Sequence, residues 1–242
     1  YLALAGAQRV IATDISERAL MIARANARLN GQHDGIEFRQ GDLFDPVAGE
    51  KFRFIASNPP FVITPRTDND EAGRYEYRDA GMTGDALAER VVREAPGFLE
   101  AGGTFVCLAN WESHWGINGL DRVGEWVESA TGEAGALGAW VLERDRIDPA
   151  RYAETWARDG GAKPGEPEFE HMIDAWLNDF AARQVTAIGL GSIRIKNLEG
   201  REWLGVDLAS NTSIRLEHAS EPLVQTDLGA YLEKALLIGL AV

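Results

Sequence analysis

The chain carries one cysteine in 242 residues, so no disulfide can form within it. Cys107 lies in a β-prone apolar stretch, Thr104 to Ala109, where packing is the default role of an isolated thiol. His33, His114, His171 and His218 are scattered, no histidine–cysteine cluster has zinc spacing, and no metal site is expected. Positive charge is also short. Lys and Arg number 24 against 38 Asp and Glu, a net charge of −14 that argues against a broad basic face for nucleic acid. No stretch approaches the ~18 uninterrupted apolar residues of a membrane span. No secretory leader is visible, so a cytoplasmic protein without membrane contact is the simplest account. Internal repeats and low-complexity tracts are missing too. What is present is 45% hydrophobic residues, enough for a sizeable core in one large or two small domains.

The first sixty residues alternate short strands with a helix. Arg9 to Thr13 is β-prone and ends in Asp14. Ser16 is placed to cap a helix from about Glu17 to Leu29, closed by Asn30-Gly31. Ala19, Leu20, Ala23, Ala27 and Leu29 form its apolar side. Ile36 to Gln40 alternates as a strand and runs into Gly41-Asp42-Leu43-Phe44. Phe52 to Ser57 is the next strand. The order predicts a parallel sheet with crossover connections.

That third strand stops at Asn58-Pro59-Pro60-Phe61. Two prolines cannot continue a central strand, because each lacks an N–H and has φ fixed near −65°. In open α/β sheets, ligands bind beyond the carboxyl ends of the strands. Asn58 offers a side-chain carbonyl acceptor, Pro59 a backbone carbonyl and Phe61 a flat apolar face. Together they suit a planar –NH2 group, held by its two hydrogens and stacked from behind. The plainer reading is a Pro-Pro loop that only ends a strand. Asp14 and Asp42 each follow a strand, where a carboxylate can accept both hydroxyls of a ribose. Each also has a local alternative: Asp14 as a cap for the helix with Ser16, Asp42 in an Asx-turn after Gly41.

With its spacing to Asp14 and Asp42, the Asn58–Phe61 motif resembles that of class I S-adenosylmethionine-dependent methyltransferases acting on conjugated nitrogens. Val10 to Ile63 is most similar to the glutamine N5-methyltransferases of release factors, and is also similar to ribosomal-RNA guanine N2-methyltransferases. The resemblance implies an α/β fold. This is a Rossmann-like sheet, mostly parallel with an antiparallel edge pair, carrying a helical insertion and a small C-terminal extension. It implies S-adenosylmethionine as cofactor, held by Asp14, Ile15, Asp42, Leu43 and Asn58, with Asp14 at the ribose and Asp42 near the adenine. Asn58, Pro59, Pro60 and Phe61 take the catalytic role, and the substrate is a protein glutamine or an RNA base. The negative charge leans toward protein. The family's first strand and Gly-rich turn should precede Tyr1, in a longer parent chain. Tyr1 to Ala7 reads as the tail of the helix after that turn, and Gly6 alone cannot replace it. A rival expectation is a methyltransferase fold kept as a binding module without activity.

Thr64 to Gly84 reads as a long polar loop in which Tyr77 and Arg78, with Phe61, are candidate substrate contacts. Asp85 is expected to cap a helix to about Leu99. A strand over 104–109 then ends at Asn110-Trp111-Glu112, with Trp111 a candidate wall of the substrate pocket or a packing residue. A helix near 120–129 and a strand near 139–144 follow. Asp148-Pro149 starts a helix to about Arg158, and Met172, Ile173, Trp176, Leu177 and Phe180 mark a second over about 169–183. Val185 to Ile195 reads as strand. The organisation expected is a truncated core over 1–147, a helical insertion over 148–184, and the last sheet strand with a C-terminal extension over 185–242.

Overall fold

The computed structural model describes residues 1–65, 82–130, 135–199, 202–203, 206–207 and 212–220. Tyr77 and Arg78 lie outside the described residues. The chain divides into two compact units, Tyr1–Glu50 and Lys51–Val242.

In the first unit, β1 (Val10–Asp14) pairs in parallel with β2 (Ile36–Gln40), from Val10 opposite Ile36 to Asp14 opposite Gln40. The crossover is α1 (Glu17–Leu29), whose cap Ser16 accepts the Ala19 N–H at 3.4 Å. Leu20 and Ala27 are buried, whereas Leu29, expected on the apolar side, ends the helix 85% exposed. Tyr1 to Ala7 forms turns rather than a helix tail, with the Ala5 N–H on the Tyr1 carbonyl at 2.8 Å. Arg39 bridges Glu37 and Glu50 and, with Arg9 on the same two carboxylates, ties the ends of the unit together. Hydrogen bonds from Arg39 hold both carboxyls below the usual range.

The second unit is built on a five-stranded sheet in the order β3-β4-β6-β5-β9. Its strands are β3 (Phe52–Ser57), β4 (Leu99–His114), β5 (Leu137–Ile147), β6 (Val185–Asn197) and β9 (Ser213–His218). β6 runs antiparallel to β4 and β5, while β3–β4 and β5–β9 are parallel pairs. β7 (Glu202–Trp203) and β8 (Val206–Asp207) pair separately. The fold is α/β, with the antiparallel pair β6–β5 toward one edge and β9 added outside it. Each unit carries a parallel ladder from the early strands, β1–β2 in the first and β3–β4 in the second.

Between β3 and β5 come α2 (Ala86–Glu94) and α3 (Gly119–Ser129). Between β5 and β6 come α4 (Pro149–Asp159) and α5 (Pro167–Ala182). Asp148 caps α4 by accepting the Arg151 N–H at 2.9 Å. Asp85, expected as a cap, makes no capping bond; its carboxylate takes the Glu112 N–H at 2.8 Å and Arg122 at 2.5 and 2.9 Å.

β4 also differs from its expected span of 104–109. Asn110 and Glu112 read as polar stop signals, yet both are buried and partnered inside the strand. Phe105, Cys107, Ala109 and Trp111, every second residue, share a buried face. Trp111 stands opposite Gly189 and Ala109 opposite Gly191. A Cβ at Gly189 would lie 2.2 Å from Trp111 Nε1, so only glycine leaves room for the indole. Burial pushes the Cys107 thiol up to about 12. Among the described residues no helix is long and apolar enough to cross a membrane, and no group of three His, Cys, Asp or Glu could hold a metal ion.

Candidate functional site

In the first unit, the β1–β2 ladder ends at Asp14 opposite Gln40, and Gly41-Asp42-Leu43 follows at the same end. The Gly41 N–H donates to the Asp14 carbonyl at 3.1 Å, prolonging the ladder by one bond. Asp14 is exposed, and its Oδ1 accepts the Ser16 N–H at 2.8 Å. A carboxylate has about four acceptor positions, so this local bond leaves Asp14 capacity for hydroxyl donors. The local and the ligand readings are compatible. Ile15 is 59% exposed, and its carbonyl is held by Gln40 Nε2 at 3.1 Å. Leu43 has a left-handed φ of 40°, a costly conformation for a branched side chain. A Cβ at Gly41 would meet Pro46 Cγ at 2.5 Å, so a glycine is needed where the loop folds onto the following turn. These features form an exposed acidic strand tip beside a tightly folded loop, chemistry that fits a nucleoside's hydroxyls and base edge.

In the second unit, the last β3–β4 pair is Ser57 with Cys107, and both Asn58 and Asn110 come after it, at the same end of the ladder. The turn out of β3 exposes Asn58 and buries Pro59, leaving Pro60 and Phe61 half-buried. Pro60, Phe61 and Val62 line a small recess with Met82, Leu87 and Asn110. Asn110 is 2% exposed and donates Nδ2 to Tyr152 Oη at 2.9 Å. Burial is the main cause of an upward shift at the Tyr152 phenol.

Trp111 does not wall this recess. It is 0% exposed in the sheet, with Nε1 donating to the fully buried Glu143 carboxylate at 2.9 Å. Glu143 Oε1 also takes Arg146 at 2.7 Å and the His218 ring at 3.0 Å. Glu112, 1% exposed, is held by Arg183 and by His114 at 3.0 Å. Burial pulls the Arg183 guanidinium down, but Glu112 and Asp179 outweigh it and the net shift is up. Sequence reasoning missed Tyr152 and Trp176 as partners of the turn. Both are apolar-face aromatics of amphipathic helices, and nothing local marks their polar atoms.

Residues 2–74 match the family model described as the methyltransferase small domain. The release factor glutamine methyltransferase of Yersinia pestis is 32% identical over 143 residues, covering 55% of this chain and 51% of the relative. The ribosomal protein uL3 glutamine methyltransferase of Xylella fastidiosa is 32% identical over 149 residues, covering 57% and 47%. The release factor glutamine methyltransferase of Enterococcus faecalis is 37% identical over 100 residues, covering 39% and 35%. The chain spans about half the length of the first two of these curated relatives. The similarity to the methyltransferase small domain thus spans Asp14, Asp42 and the Asn58–Phe61 turn.

Proposed function

We propose that this chain carries the catalytic segment of an S-adenosylmethionine-dependent N-methyltransferase whose acceptor is a glutamine amide in a protein. The observation that carries this is the Asn58–Phe61 turn: an exposed amide, a backbone carbonyl with no ladder to serve, and an aromatic face beside a recess. The names of the relatives and the net charge of −14 support a protein acceptor over an RNA base.

The cofactor supplies an electrophilic methyl group on a sulfonium. Asp14 would accept the ribose hydroxyls, and Asp42 with the Leu43 backbone would meet the adenine edge. Asn58 Oδ1 and the Pro59 carbonyl accept the two N–H bonds of the acceptor amide. Two acceptors on one planar nitrogen draw its hydrogens out of plane and return lone-pair density to it. They would also stabilise positive charge developing on that nitrogen as it takes up the methyl group. Holding the reacting atoms in line supplies much of the remaining acceleration. The surplus proton leaves to solvent after transfer, so no histidine or lysine base is needed.

The test is transfer of a labelled methyl group from S-adenosylmethionine to recombinant release factor and ribosomal protein uL3, with the modified residue mapped by mass spectrometry. The proposal expects one methylated glutamine. Labelled RNA with unlabelled protein overturns the acceptor assignment. Failure of the parent protein to bind S-adenosylmethionine favours a binding module.

A further inference from the structure

Ile63 ends the turn that leaves β3, and helices far along the chain take both of its backbone polar groups. Its N–H donates to Tyr152 Oη of α4 at 2.9 Å, and its carbonyl accepts Trp176 Nε1 of α5 at 2.8 Å. Its side chain, 1% exposed, is part of the apolar core that α4 and α5 build with Ala153, Phe169 and Phe180. Tyr152 Oη also accepts from Asn110, whose side chain lines the recess with Phe61 and Val62. One phenol oxygen thus ties the turn to β4, accepting from both Ile63 and Asn110.

The turn needs such an anchor. Pro59 and Pro60 have no N–H to donate, so fewer backbone bonds can hold the segment between Asn58 and Ile63. Tyr and Trp are stiff, with two side-chain torsions each, and hold a partner at low entropic cost. Ile63 is two residues from Phe61, close enough for its position to set where the aromatic face stands. A displacement of about 1 Å of a reacting group can lower a rate on the order of a hundredfold.

We propose that the helical pair α4–α5 is a positioning element for the Asn58–Phe61 turn, acting through Tyr152 and Trp176 on the Ile63 backbone. This rests on the reading of that turn as the acceptor-binding segment.

Tyr152→Phe removes the oxygen and keeps the ring. Phe169→Leu loosens the same core without removing either bond to Ile63. Four readouts separate the outcomes: hydrogen exchange at the Ile63 amide, melting temperature, S-adenosylmethionine affinity, and kcat with KM for the acceptor. Tyr152→Phe should speed Ile63 exchange about tenfold, the scale of one lost buried hydrogen bond. It should also lower kcat/KM for the acceptor by about ten- to a hundredfold, at unchanged cofactor affinity. Phe169→Leu should lower the melting temperature and leave kcat/KM at the wild-type value. Wild-type turnover in Tyr152→Phe, or activity that merely follows melting temperature in both variants, overturns the inference. If the wild-type protein neither binds the cofactor nor transfers methyl, the methyltransferase reading fails by itself. Exchange then decides the clamp alone: unchanged exchange at Ile63 in Tyr152→Phe overturns it.

Discussion

Replacing Trp111 with phenylalanine distinguishes a core residue from a pocket wall. The indole lies flat against two glycines, Gly189 and Gly191, and its Nε1 donates to a carboxylate with no exposure at all. Trp111→Phe removes that charge-assisted bond, a loss of about 1.5–3 kcal/mol. The smaller ring leaves a gap that the rigid sheet backbone closes poorly, adding on the order of 1 kcal/mol. Glu143 keeps Arg146 and His218 as partners, so it is not stranded. The total, about 3 kcal/mol, corresponds to a fall of roughly 6–12 °C in melting temperature for a unit of this size. Urea unfolding by fluorescence and a thermal melt measure it, and acceptor KM is read on the same sample below the transition. The expected result is a lower midpoint with KM unchanged. A variant of wild-type stability with a raised acceptor KM refutes the reasoning and returns Trp111 to the pocket wall.

Arg183→Met should cost about 3 kcal/mol, because it takes the main cation from the buried Glu112 carboxylate; a denaturant midpoint equal to wild type contradicts this. Gly41→Ala should destabilise by about 1–3 kcal/mol, since its Cβ would need space held by Pro46, and a thermal melt checks it. Burial raises the folded-state pKa of Cys107 from the ordinary 9.0 of a thiol to about 12, so its contribution to stability is constant below pH 9 and lost as the pH rises toward 12. Tyr152, shifted up by burial, acts in the same direction. Urea midpoints should be alike at pH 7 and 8 and lower at pH 10, with no reaction of a thiol reagent at Cys107 before unfolding; early labelling of the folded protein contradicts the burial. Asp14→Ala should weaken S-adenosylmethionine binding while leaving the folded unit intact, as calorimetry and circular dichroism can show.

What the sequence revealed follows from how local each signal is. β1, α1, β2 and β3 were legible because alternation, a serine cap and an Asn-Gly stop lie within a few residues of what they mark. The Asn58–Phe61 turn was legible because proline acts on its own backbone. β4 outran its expected end because distant residues partner its polar side chains: Tyr152 takes Asn110, while Arg183 and His114 take Glu112 Oε2. Asp85 has the sequence context of a cap, but Arg122, 37 positions away, claims its carboxylate. β9 was missed because its pairing with β5 depends on a distant strand. The clamp on Ile63 joins residues 89 and 113 positions apart, a relation that no local pattern reports.

The most direct test of the central claim is single-turnover methyl transfer by Asn58→Ala at saturating S-adenosylmethionine, with the unmethylated acceptor protein as substrate. Asn58 is assigned to the acceptor nitrogen, so its loss should slow transfer by about a hundred- to a thousandfold, as removing one oxyanion-hole donor does, with cofactor affinity close to wild type. Normal turnover in Asn58→Ala contradicts the account and leaves the Asn58–Phe61 segment as a strand terminator.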